Sequence, residues 1–196
     1  SIEELADVET AERLAWALGE LASQLAGKDR SAVRAELGDV LRGLERWREA
    51  LQAYEASLAN DPEQARAMTG IRHLLDEKNA PVPERQACGR SLLQRYDAIE
   101  YHAGRAHVLQ VLLELESNAQ ARRALVGQLT TLLMEQLESG DSALEILLTH
   151  LEADPDDDPA RRQAETLAAS LQKYEDLFKT YQALRVSPHE ETALLY

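Results

Sequence analysis

Apolar residues recur along this chain three and four positions apart, with charged and amide side chains between them. That spacing puts them on one side of an α-helix, where they meet a neighbouring element. The pattern predicts about ten helices. The first covers residues 3–26, with Leu5, Val8, Leu14, Leu18, Leu21 and Leu25 on one broad face. The second covers 31–44, carrying Val33, Leu37, Leu41 and Leu44, and the third covers 46–60, carrying Trp47, Leu51, Tyr54 and Leu58. The fourth holds Met68, Ile71, Leu74 and Leu75, and the fifth covers 84–99. The sixth, 102–116, is apolar on two sides, which suits a helix held between neighbours. The seventh, eighth and ninth cover 118–138, 141–153 and 159–172, and the tenth holds Tyr174, Leu177, Phe178, Tyr181 and Leu184. No stretch alternates as a strand does, and good helix formers dominate.

Proline and aspartate mark the joints. Asp61-Pro62 reads as the start of the fourth helix, with Asp61 as its cap and Pro62 at its first position. Two prolines at 81 and 83 make 79–84 the clearest break, because neither fits a helix interior. In the acidic joint 154–159, Asp158 is expected to cap the ninth helix and Pro159 to open it. Residues 187–192 read as a loop.

A worn repeat underlies these helices. Trp47, Ala50, Tyr54, Ser57 and Leu58 have counterparts in Tyr101, Gly104, Val108, Val111 and Leu112, and again in Gly140, Ala143, Leu147, His150 and Leu151. The small residues Ala50, Gly104 and Ala143 lie 54 and 39 residues apart. Small side chains let helices approach closely, and stacked hairpins bury what one hairpin leaves open.

Leu37, Gly38, Leu41, Trp47, Ala50, Tyr54, Ser57, Leu58 and Pro62 together resemble one unit of the tetratricopeptide-repeat (TPR) superfamily. The clearest repeats are 33–62 and 125–155. With its Ala, Leu and Arg content and its recurring Leu-x-x-Asp-Pro joints, the chain looks most like degenerate TPR-type arrays of bacterial scaffold proteins. The resemblance implies an all-α fold, a right-handed solenoid of antiparallel helical hairpins, as a single domain over 1–196. The 54-residue step departs from the usual TPR period of about 34 residues. It implies an extra helix or a longer hairpin between Gln64 and Ile99, which breaks the regular groove there.

In TPR proteins the first helix of each hairpin lines a concave binding surface. Carried onto the matching segments, that lining is Ala35, Asp39 and Arg42, then Gln128, Leu132, Glu135 and Gln136. TPRs that clamp a terminal carboxylate use Lys and Asn at such places. Ala35, Asp39, Gln128 and Leu132 stand there instead, so the clamp is missing. The lining suits a protein or peptide with apolar anchors and basic flanks.

Charge narrows the partners further. The formal net charge is −14, which disfavours nucleic acid and anionic membrane and favours a basic partner segment. No apolar run approaches the ~20 residues of a membrane-spanning helix. Cys88 is the only cysteine, so no disulfide can close within the chain, which accords with a cytoplasmic location. The chain starts at Ser1 without a signal-peptide pattern and reads as a fragment of a longer protein.

The chemistry-bearing residues form no familiar constellation. His102 and His107 are five apart, off the i, i+4 spacing of a helical zinc pair, and His73 and His150 show no partner ligand. The acidic run 154–158 lacks the glycine and the distal glutamate of an EF-hand loop. Cys88 reads as a small buried hydrophobe, and Trp16, Trp47, Tyr54, Tyr96, Phe178 and Tyr181 are spaced as core residues. Arg122-Arg123 and Arg161-Arg162 sit near helix starts, where pairing with Glu116 or Asp154 would offset their unfavourable position; the alternative reading is a contact for an anion or an acidic peptide. The expectation is a non-catalytic interaction module, a scaffold or adaptor without metal or cofactor. Its rival is a structural spacer that self-associates through its terminal helices, since the first helix and residues 193–196 are apolar. A catalytic or enzyme-regulatory helical domain is the remaining alternative.

Overall fold

The structure, a computed structural model, describes residues 2–185. The expected loop at 187–192, the apolar segment 193–196 and the side chain of Leu5 lie outside the described residues. Among the described residues the fold is all-α with ten helices: α1 (Ile2–Gln24), α2 (Gly27–Gly43), α3 (Trp47–Asn60), α4 (Ala65–Asp76), α5 (Val82–Ala98), α6 (His102–Leu115), α7 (Ala119–Glu135), α8 (Gly140–Ala153), α9 (Asp158–Leu171) and α10 (Tyr174–Arg185). The chain divides into two compact units, Ser1–Ala98 with α1–α5 and Ile99–Tyr196 with α6–α10.

In the first unit α2 packs between α1 and α3 and also touches α4, while α3 packs on α4 and α5. Small residues at the α2–α3 seam explain the close approach: Ala35 and Ala50 have no exposed surface, and Gly38 is buried. Ser31 and Ser57 lock the seam reciprocally. Ser31 Oγ donates to the Ser57 carbonyl at 2.9 Å and Ser57 Oγ donates to the Ser31 carbonyl at 2.7 Å. Leu58, Ile71, Leu74, Leu75 and Leu92 fill the core. Each contributes roughly 1.5–3 kcal/mol by leaving water.

In the second unit α7 packs between α6 and α8, and α8, α9 and α10 pack on one another. The two-sided apolar character of α6 is satisfied, with Val108, Leu109, Val111, Leu112 and Leu113 all buried. Gln163 Nε2 reaches Thr130 Oγ1 at 3.4 Å and so ties α9 to α7.

Several local expectations change. α2 starts at Gly27, earlier than residue 31, because the left-handed glycine (φ 56°) turns the chain into α2 with almost no loop. Pro62 does not open α4. Residues 61–64 form a turn in which the Asp61 carbonyl accepts from Gln64 N at 3.1 Å, and α4 begins at Ala65. α5 instead begins at Val82 and carries Pro83 in its first turn, where a missing N–H costs nothing. α9 is capped by Asp157, whose Oδ1 accepts from Ala160 N at 3.2 Å, rather than by Asp158. Glu45, Glu100, Glu138 and Gln172 take the left-handed conformation just beyond helix ends, where glycine is the usual signal. Two aromatic residues expected inside are outside, Trp16 at 71% and Phe178 at 61% exposure, and Leu14 and Leu21 are also exposed. Two complete helices, α4 and α5, separate α3 with Ala50 from α6 with Gly104, which accounts for the long 54-residue step.

Candidate functional site

The lining expected on α2 is largely consumed inside the first unit. Ala35 is fully buried, so no partner can reach it. Asp39 is half-buried and doubly engaged. Its Oδ1 accepts from the Tyr54 hydroxyl at 2.6 Å, and its Oδ2 meets Arg66 Nε of α4 at 2.5 Å. Burial, then the Asp39 carboxylate, holds the Tyr54 phenol well above its ordinary value, and Arg42 opposes that rise. Arg42 is half-buried, with Nε enclosed. The Tyr54 ring lies against Gly38 of α2 and Gly70 of α4, and a Cβ added to either glycine would overlap it. These residues form a joint between α2, α3 and α4, and glycine is required there by the close approach of the ring.

On α7 the expected lining divides. Leu132 is buried at 5% exposure and belongs to the core, whereas Gln128, Glu135 and Gln136 are exposed. Gln136 follows the last turn of α7 and donates its N–H to the Leu132 carbonyl.

The acidic joint after α8 forms a second polar cluster. His150, expected to lack a partner, is buried with Nε2 2.9 Å from Asp157 Oδ2. Arg123 binds Asp154 through Nε at 2.7 Å and Nη2 at 2.9 Å, and its Nε lies 3.7 Å from Asp157. The Arg123 guanidinium holds the Asp154 carboxyl below the usual range. Ligand-type atoms of His150, Asp154 and Asp157 lie within 4.8 Å of one another. Arg123 already supplies the cation for this cluster, and Asp157 also caps α9, so the group works as a joint between helices. The pairing of Arg123 with Asp154 is as expected. Arg122, in contrast, donates to the Leu113 and Glu116 carbonyls at 2.7 and 3.1 Å rather than to a carboxylate. Arg161 lies 3.3 Å from Asp158.

Cys88 is buried, and burial first, then nearby Glu55, pushes its thiol up to about 12. It is held as a neutral hydrophobe. His102 is half-buried and His107 exposed.

The open concavities are lined by other residues. In the second unit a groove of about 430 Å³ lies between α6 and α8, with α7 beneath it, lined among others by Ala106, Leu113, Glu114, Leu129, Leu133 and Ile146. Another of about 430 Å³ lies between α8 and α10, where Lys173 pairs with Asp141 at 2.9 Å and Lys179 with Asp176 at 3.6 Å. In the first unit a groove of about 360 Å³ lies between α1 and α3 over α2. The expected lining named none of them, although the exposed polar stripe Asp141, Glu145, Thr149 and Glu152 on α8 is legible as a solvent face. No protein-family model matches this chain, and no curated protein matches it.

Proposed function

We propose that this chain is a non-catalytic protein–protein interaction module, a TPR-like scaffold or adaptor in the cytoplasm. The observation that supports it most is the seating of Tyr54 between Gly38 and Gly70, which joins three successive helices by one buried ring. A joint of this kind stacks one hairpin on the next and leaves grooves between helices. Such grooves suit side chains of a partner segment. The groove between α6 and α8, with its aliphatic lining and the exposed Glu114 and Glu145, favours a partner with apolar anchors and basic flanks. We extend the reading to a right-handed hairpin solenoid, the arrangement the TPR resemblance implies.

A specific observation favours the second reading, self-association. Leu14, Trp16 and Leu21 of α1 and Tyr174 and Phe178 of α10 are exposed, and apolar surface of that kind is commonly covered by another chain.

Affinity capture from the native organism's lysate tests the proposal, comparing the chain with a Gln128→Lys/Glu135→Lys variant that keeps its helicity. Capture by the first and loss by the second supports an adaptor that uses the α7 face. Equal capture moves the binding face elsewhere. No partner with either, together with a concentration-dependent rise in mass, favours the spacer.

A further inference from the structure

We propose that the groove between α6 and α8 docks a helical segment of a partner protein, one carrying apolar side chains flanked by lysine or arginine. This rests on the interaction reading above and names its face and its partner's chemistry. Leu129 and Leu133 of α7 form the floor, Leu113 and Ile146 line the walls, and Arg122 also lines the groove, with its guanidinium bonded to the Leu113 and Glu116 carbonyls. Glu114 and Glu145 stand exposed at the rim, one on each flanking helix. Among the described residues neither carboxylate has an ion-pair partner. The Lys173 ammonium, which feels the field of Glu145, is bonded to Asp141. A neutral or acidic segment laid here would strip water from two carboxylates without replacing it. A cationic segment compensates that loss while its apolar residues meet the leucine floor.

The groove of the first unit sharpens the point. By the alignment of Ala50 with Ala143, Gln52 and Ala53 stand where Glu145 and Ile146 stand in α8, and all four line their grooves. Glu49 there is tied to Arg46, and Arg34, bonded to the Ala56 carbonyl, lines that groove as Arg122 lines this one. The same construction therefore forms without unpaired acids at the rim, so packing does not require Glu145.

The test is fluorescence anisotropy with a labelled synthetic amphipathic helix of leucine and lysine, at physiological ionic strength, and a leucine–glutamate helix as its opposite. The lysine peptide binds and the glutamate peptide does not. Glu114→Lys/Glu145→Lys weakens binding about tenfold or more. Ala106→Trp fills the groove at unchanged charge and weakens binding comparably; Ala106→Leu replaces it if circular dichroism shows lost helicity. The charge-matched Glu55→Lys/Glu63→Lys stays within about twofold. Equal weakening by this control would reduce the effect to whole-chain attraction and overturn the proposal. Unchanged binding by the groove-filling variant, or no binding of the lysine peptide, would overturn it too. A native partner retained by Glu114→Lys/Glu145→Lys would sink the groove and leave the interaction reading standing. Absence of any partner for the unmodified chain would strike that reading itself.

Discussion

Tyr54, in the middle of α3, donates its hydroxyl to Asp39 of α2 at 2.6 Å while its ring fills the space left by two glycines, Gly38 and Gly70. One side chain thus combines burial, a hydrogen bond to a carboxylate and a steric fit across three helices. Removing the hydroxyl with Tyr54→Phe keeps the fit and loses the bond. The expected cost is about 1.5 kcal/mol, read from urea unfolding, because a bond to a charged acceptor is worth more than a neutral one. Gly70→Ala overpacks the ring and should cost about 1–3 kcal/mol. In a Tyr54→Leu background the same glycine change should cost clearly less, since the two sites share one contact. Additive costs would show that the ring and the glycine do not meet.

Asp157 and Asp158 are neighbours with different work. Asp157 caps α9 and holds buried His150, whereas Asp158 is exposed. Asp157→Ala should cost about 2 kcal/mol or more through loss of the cap and of the buried partner. Asp158→Ala should stay within about 0.5 kcal/mol. Thermal or urea unfolding of the two variants decides it, and the reverse order would assign the cap to Asp158.

Cys88 should be inert in the folded chain. A buried thiol pushed up to about 12 is protonated at pH 8, and the thiolate is the reactive form. A thiol-reactive chromophore should give no signal from the native chain over minutes and one equivalent after denaturation in guanidinium. Fast reaction of the native chain would mean that α5 opens readily.

The Arg123–Asp154 pair should contribute to acid stability. Asp154 is held below its ordinary value near 3.8 by the guanidinium, so the unfolded chain binds its proton first as pH falls. The contribution is full above that value and is lost as pH drops through the depressed one. The urea midpoint of Asp154→Asn should therefore lie below that of the unmodified chain at pH 6, with the gap closing between about pH 4 and pH 2. A gap that stayed constant over that window would show that the carboxylate's charge is not what stabilises the joint.

The ten helices were legible in the chain because helix formation follows a local period, and runs such as Val33, Leu37 and Leu41 declare it unaided. The positions of the joints at 61–62 and 154–159 were legible, though not which residues cap and open the next helix, and so was the pairing of Arg123 with an acidic joint, because opposite charges at helix ends offset the dipole. What the sequence left open depends on which face meets which neighbour. Trp16 and Leu14 share the apolar period of α1, yet the buried side of α1 is Ala15, Leu18 and Ala22, since only that side lies against α2. Asp39 reads as a surface carboxylate until Tyr54 and Arg66 arrive from α3 and α4. Gly38 belongs to the TPR-like set and Gly70 carries no such mark, and the ring between them shows what both glycines make room for. The groove between α6 and α8 needs three helices to exist, so no single period announces it. Periodicity along the chain determined the helices, and tertiary packing decided which residues face outward, because burial is a property of pairs of surfaces and only one of each pair is written locally.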